Sequence, residues 1–225
     1  STLSKAKQKL DDCINIYTNN NNNNNSYNNK EIQDELLKNM QEILTNDFNP
    51  NDIKEGNDFA FTYSKVTYSI TSTYNQIKIN NKTNNISTIN LSECESKLKK
   101  INNISSNDSL FILKIDNLIY TIPKIDYEIY YPFNTNNITI LNLSICENIK
   151  VNISLPVSIS INEIDKHNIS SDIYNDICYS LTTDQGTDEP LIDRQNDFVE
   201  NNLSFCEENC DFIDYDKYNK KAICS

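Results

Sequence analysis

Glycine is almost missing from this chain: its 225 residues carry two, Gly56 and Gly186. A phosphate-cradling glycine loop is therefore excluded. Tight two-residue glycine hairpins are not expected, and asparagine is left to take the left-handed turn positions. Tryptophan is absent, and methionine, arginine and histidine occur once each, as Met40, Arg194 and His167. A Ser-His-Asp or Cys-His mechanism would have to run through His167. That residue lies in the polar stretch Asp165-Lys166-His167-Asn168, beside a glycan acceptor that would crowd any substrate. No catalytic set is expected, and the chain reads as a non-enzyme. No C-x-x-C spacing occurs, so with one histidine tetrahedral zinc has too few ligands. No apolar run approaches the ~20 residues of a membrane span. No signal peptide opens the chain, which is expected to be a mature form or a piece of something longer.

Positive charge is also scarce. The formal net charge is −12 and the isoelectric point about 4.5. Such a surface repels phosphate backbones, so nucleic acid is not an expected partner. Lys97, Lys99 and Lys100 form the nearest thing to a basic stripe, but Glu93 and Glu95 stand beside them, which reads as a solvated helix face. Hydrophobic residues make up 37% and mean hydropathy is −0.60. The apolar residues nevertheless fall in tidy runs, which argues for a folded chain. Asn, Ile, Lys and Tyr are what an AT-rich genome supplies wherever selection is weak, so every pattern has to be weighed against that bias.

What is abundant is asparagine, 39 in all, and cysteine, seven in all. Asn-x-Ser/Thr occurs at Asn24, Asn81, Asn85, Asn90, Asn103, Asn107, Asn137, Asn142, Asn152, Asn168 and Asn202. Chance in so Asn-rich a chain gives roughly six such acceptors, so the excess is under twofold. Asn81, Asn85, Asn90, Asn103 and Asn107 fall in polar connectors. Asn137, Asn142 and Asn152 fall in β-like runs, where they would occupy the solvent face. The cysteines, Cys13, Cys94, Cys146, Cys178, Cys206, Cys210 and Cys224, read as a disulfide framework of an oxidising compartment. Five of them, Cys94 to Cys210, are expected to pair internally. The odd count leaves Cys13 or Cys224 for a partner on another chain or further along the polypeptide.

Along the chain, 1–17 reads as a helix, with Leu3, Ala6, Leu10, Cys13 or Ile14 and Tyr17 at helical spacing. The Asn run 19–25 is a low-complexity loop. A second helix over 30–46 carries the stripe Ile32, Leu36, Leu37, Met40, Ile43 and Leu44, and the two form an αα-hairpin that ends at Asn49-Pro50-Asn51. From 58 the period changes to two: 59–63, 66–70, Ile77 with Ile79, 109–115, 118–122, 125–131, 138–142 and 149–160 read as strands. Ser92 and Glu95 resemble a capping box for a short helix over 92–101, in which a disulfide pins Cys94. The expected fold is α+β and mainly β: a helical hairpin (1–50) packed on a β-sandwich (51–165). An irregular connector (166–200) and a small disulfide-rich, EGF-like tail (201–225) follow. Asp184, Asp188 and Asp193, and separately Asp211, Asp214 and Asp216, offer oxygen ligands for Ca²⁺. Neither set has EF-hand spacing, and solvated acidic loops are the competing reading. Arg194 is expected to pair with Asp193 or a neighbouring acid. Apart from N-linked glycans and this calcium candidate, no cofactor is expected.

A set of short stretches carries a resemblance: Ser92-Glu93-Cys94-Glu95, Ile122-Pro123-Lys124 with Tyr127-Glu128-Ile129-Tyr130, and Asn142-Leu143-Ser144-Ile145-Cys146. Tyr174-Asn175-Asp176-Ile177-Cys178, Gly186-Thr187-Asp188 through Leu191-Ile192-Asp193-Arg194, and Cys206-Glu207-Glu208-Asn209-Cys210 continue it. In these the chain from Cys94 to Cys224 resembles a recurring segment of large surface or secreted proteins of AT-rich protists, ciliates among them. The resemblance implies an ectodomain module ahead of further cysteine-rich units and assigns no activity. The expected function is a structural extracellular glycoprotein of the cell surface, a subunit of a filament or coat. Its partners are itself or neighbouring modules of the same polypeptide, with glycans and no membrane span in this segment. The alternative is an adhesion or receptor stalk ectodomain of a larger membrane protein.

Overall fold

A computed structural model describes residues 2–20, 29–53, 57–80, 86–117, 123–134, 137–157, 159–183 and 185–225. Among the described residues the chain is mixed α+β, 40% helical and 27% strand, with two antiparallel sheets. It divides into two compact units, 1–79 with 89–151, and 80–88 with 152–225.

In the first unit, α1 (Thr2–Asn20) and α2 (Asn29–Glu42) lie antiparallel, with Lys9 paired to Glu42 at 3.0 Å. Their expected stripes are the buried ones. Ala6, Leu10 and Cys13 from α1 meet Ile32, Leu36 and Met40 from α2, and Ile43 and Leu44 extend the stripe through one π-helical turn, Ile43–Asp47. Asn49 then caps a 3-10 turn at Pro50–Asp52 by accepting from the Asn51 N–H. The hairpin packs on a five-stranded antiparallel meander made of β1 (Phe59–Tyr63), β2 (Val66–Ser72), β4 (Phe111–Asn117), β5 (Lys124–Asn134) and β6 (Asn137–Ile140). The register Phe59↔Ile70, Ile70↔Leu113 and Phe111↔Tyr130 puts alternate residues on one face. These share one hydrophobic cluster with the helices, so residues 1–50 have no core apart from the sheet. Phe48 closes it edge-on against Phe111, with ring centroids 5.1 Å apart.

The other face of the meander is buried as well, and it is polar: Ser69, Thr71 and Lys114 accompany Ile112, Ile125 and Ile129. Here the structure corrects the sequence reading at Ile77 and Ile79, which lie in a helix, α3 (Thr73–Asn80), and not in a strand. Ser72 Oγ accepts from the Asn75 N–H at 3.1 Å and starts that helix. Gln76 then donates to Thr71 Oγ1 and accepts from the Ile89 N–H, so side chains take the hydrogen bonds that a continued strand would have made. The short helix expected over 92–101 is α4 (Glu93–Ile101), but its capping box is not formed. Ser92 sits at φ +51° and makes no side-chain capping bond, and Glu95 instead accepts from Thr73 Oγ1 at 2.8 Å and pairs with Lys99 at 2.7 Å.

The second sheet has the order β3-β7-β9-β8, with β3 at Thr88–Asn90, β7 at Asn152–Pro156, β8 at Phe212–Asp216 and β9 at Lys221–Cys224. The 149–160 run thus stands between β3 and the C-terminal tail, pairing β7 with β9, and does not join the five-stranded sheet. The disulfide-bearing tail, with Cys206 bonded to Cys224, is built as a β-hairpin, β8 with β9, which reciprocal bonds between Asp211 and Ser225 extend. The connector expected to be irregular holds α5 (Asp172–Asn175) and α6 (Leu191–Glu200). Pro190 precedes α6, where its missing N–H costs nothing. Phe198 packs edge-on against Tyr174 at 4.9 Å. The expected strand at 118–122 lies outside the described residues.

Candidate functional site: sequons, cysteines and loop acids

The acceptor asparagines are placed by turns. Asn90, Asn103, Asn107, Asn142, Asn152 and Asn202 are exposed and Asn168 is half-buried; the side chains of Asn24, Asn81, Asn85 and Asn137 lie outside the described residues. The fully buried Asn75 opens no sequon. At Asn90, Asn142 and Asn168 the carboxamide oxygen accepts from the backbone N–H of the serine two residues on, at 3.0, 2.9 and 3.0 Å. That is the Asx turn. Asn103 and Asn202 do different work: at φ +55° and +49° they stand just past the ends of α4 and α6. Asn103 N–H bonds Lys100 O and Ile104 N–H bonds Lys99 O; Asn202 and Leu203 repeat the pair on Val199 and Phe198. These are Schellman caps in which asparagine holds the position glycine usually takes.

The cysteines form two disulfides among the described residues, Cys94–Cys146 in the first unit and Cys206–Cys224 in the second. Two expectations are corrected. Cys224 is paired and not the odd residue, and Cys13, Cys178 and Cys210 are all thiols. Cys13 is consumed by packing: it belongs to the α1–α2 stripe, and Asn39 Nδ2 lies 3.7 Å from its sulfur. Burial, and then the charge of Glu35, push its thiol above the ordinary value, so it is a poor nucleophile. It forms part of the wall of a groove of about 590 Å³ with Lys5, Lys9, Asp12 and Glu35, where charges of both signs alternate. Cys210 ends a turn on Glu207 O, and its thiol is likewise raised by burial and by Glu207 and Asp211. Cys178 is exposed, between Ile177 at 80% exposure and the exposed Tyr179.

The loop acids are turn-formers. Asp184 lies outside the described residues. Asp188 accepts from the Leu181 N–H at 3.0 Å, across a β-bridge of Thr182 with Asp188, while exposed Asp193 stands in the first turn of α6. Asp216 accepts from the N–H groups of Tyr218 and Asn219, both at 3.0 Å, and from Asn219 Nδ2 at 2.7 Å. Asp214 accepts from the Tyr215 N–H. Among the described residues no three acidic, cysteine or histidine side chains converge as metal ligands. Arg194 does not bond an acid as expected. It is buried, and donates from Nη1 to Ile173 O at 2.7 Å and from Nη2 to Asp176 O at 3.4 Å, while Gln195 donates to Tyr174 O. The single arginine therefore caps the carbonyl end of α5 from α6. His167 stacks on Phe205, ring centroids 4.3 Å apart, with Nδ1 donating to Leu203 O.

Sequence reasoning missed the polar layer under the meander. Lys114, almost fully buried, pairs with Asp116 at 3.0 Å, and Asn75 Nδ2 donates to Asp58 at 2.7 Å, where burial raises the carboxyl above its ordinary value. The one available signal was a lysine inside the apolar run Phe111-Ile112-Leu113-Lys114-Ile115. Compared with family models, with curated proteins and with solved structures, the chain has no match.

Proposed function

We propose that this chain is a structural module of an extracellular, N-glycosylated protein that associates with itself or with neighbouring modules of the same polypeptide, as in a filament or surface coat. The carrying observation is the separation of two chemistries. Where their side chains are described, acceptor asparagines are on or near the surface, while the four bonded cysteines are buried. Disulfides persist in oxidising compartments, which are also where Asn-x-Ser/Thr is modified. Glycans along the surface limit sideways association of sheet edges and leave fewer faces for contact. Cys178, exposed beside Ile177, is the thiol best placed to meet a neighbouring chain. The reading is non-catalytic: the one histidine is engaged in ring stacking and Cys13 in the core.

Intact and peptide mass spectrometry of the native protein, unreduced, before and after glycan removal, tests the location. Glycans on most acceptor sites together with closed disulfides are the expected outcome, and bare asparagines with seven thiols defeat the reading. Sedimentation over a range of concentrations tests assembly: a species that stays monomeric at high concentration leaves the module without its proposed partner.

A further inference from the structure

The three cysteines that lie four residues after an acceptor asparagine are set in one motif, Asn-Leu-Ser-x-Cys: Asn90 to Cys94, Asn142 to Cys146 and Asn202 to Cys206. All three are disulfide-bonded, and the three thiols, Cys13, Cys178 and Cys210, have no such motif before them. Cys94 and Cys146 are bonded to each other, so one disulfide ties two copies together. In every copy the asparagine is exposed and the cysteine buried, while the leucine between them is buried at Leu91, at 2% exposure, and half-buried at Leu143 and Leu203.

We infer that glycan transfer to Asn90, Asn142 and Asn202 has to precede closure of Cys94–Cys146 and Cys206–Cys224, because closure locks each acceptor triplet; this rests on the glycoprotein reading above. A transferase must hold the asparagine amide and read the serine beyond it, which requires the triplet to stand away from the surface. In the closed protein the triplet is folded back on itself and on its cysteine. Asn90 and Asn142 accept from the serine N–H, and Ser92 is held at φ +51°. Cys94 N–H bonds Leu91 O. Around Cys206 the lock involves the serine hydroxyl itself: Ser204 Oγ donates to Cys206 O at 3.1 Å and accepts from Cys206 N–H at 3.0 Å. Presenting any of these triplets means pulling out a leucine and dragging a bonded cysteine with it.

In transfer, asparagine Nδ2 forms a bond to the sugar C1 of a polyprenyl-pyrophosphate-linked oligosaccharide. The C1–O bond breaks, polyprenyl pyrophosphate leaves and the amide proton passes to a base. In closure, two cysteine thiols give two electrons and two protons to the disulfide of an exchange catalyst, which is released as a dithiol. The first reaction needs an open triplet, and the second removes it.

The test offers unglycosylated full chain, with both disulfides closed, to a purified oligosaccharyltransferase and its lipid-linked oligosaccharide, beside the same chain reduced. Site occupancy is read by peptide mass spectrometry, with Asn107, exposed in the loop after α4 and followed by no motif cysteine, taken as reference. Reduction is expected to raise acceptance, relative to Asn107, by roughly tenfold or more at Asn90, the equilibrium penalty of withdrawing the buried Leu91, and by a smaller factor at Asn142 and Asn202, whose leucines are half-buried. Equal acceptance in the closed and reduced chains overturns the inference. With Cys94→Ala and Cys146→Ala together, the oxidised chain should gain acceptance at Asn90 and Asn142 but not at Asn202; a gain at none of the three, or at all three alike, also overturns it. A closed/reduced difference alongside native protein with bare asparagines would sink the glycoprotein reading alone. Equal acceptance alongside glycosylated native protein would sink the ordering alone.

Discussion

At Ser64-Lys65 the chain turns between β1 and β2 with φ of +46° and +66°, a two-residue hairpin made without glycine. Left-handed backbone is costly for residues with a Cβ, by about 1–2 kcal/mol each, and the flanking strand register holds it in place. Lys65→Gly is therefore expected to stabilise the protein by roughly 0.5–1 kcal/mol, the relief of that strain less the added entropy of glycine in the unfolded chain, read as a rise in the urea midpoint. Asn103 tests the same physics where the residue is also a glycan acceptor. In unglycosylated protein Asn103→Ala should cost about 1 kcal/mol while Asn103→Gly costs little or nothing, although both abolish the sequon. Equal losses would mean that the cap geometry does not matter. At Asp216, the side-chain bond from Asn219, then its N–H, hold the carboxyl below its ordinary value. A depressed carboxyl lends stability that is fully present above the unfolded value of about 3.9 and is lost as pH falls through the folded value. Asp216→Asn should flatten the acid limb of a stability–pH profile measured by urea titration.

Among the elements, the outcomes at α3 and α6 differ from what local pattern predicts, for separate reasons. In α3 the alternation Ile77, Ile79 is genuine, but Ser72 ends the strand and caps a helix, while the buried Asn75 and Gln76 find partners in Asp58 and Thr71. Ile77 is left largely in solvent, a cost the polar contacts offset. In α6 the apolar stripe is broken by Arg194, and only the carbonyl end of α5 gives that cation a place. The disulfides act at this scale too. The chain-entropy relation gives about 4 kcal/mol for a loop the size of Cys94–Cys146 and about 3 kcal/mol for one the size of Cys206–Cys224. Cys94→Ala with Cys146→Ala should accordingly lower stability by the larger amount, measured in denaturant against Cys206→Ala with Cys224→Ala.

For the molecule as a whole, each compact unit carries its own disulfide; the five-stranded sheet lies in the first, and β7, β8 and β9 lie in the second. Units built in this way commonly unfold as separate cooperative steps. The Cys94/Cys146 double variant should then shift one calorimetric transition and leave the other, while the Cys206/Cys224 variant does the reverse. A single transition that moves in both variants would show the two units to be one cooperative body. Several of the acids behind the net charge of −12, Asp188, Asp214 and Asp216 among them, accept from backbone amides, so acidity here serves local chain geometry as well as charge.

Sequence alone determined the elements whose period is unbroken. The stripes of α1 and α2, the alternation of β1, β2 and β5 and the breaker at Asn49-Pro50 are local properties, and burial of an apolar face follows from them directly. It also determined where glycans can attach and how many thiols there are to pair. Which thiols pair was decided only by the tertiary structure, because Cys94 and Cys146 are 52 residues apart and meet through packing. The destination of β7, which joins strands from the far end of the chain, was decided in the same way. So was the burial of Lys114, Asn75 and Arg194, since a polar side chain goes inside only where long-range neighbours satisfy it.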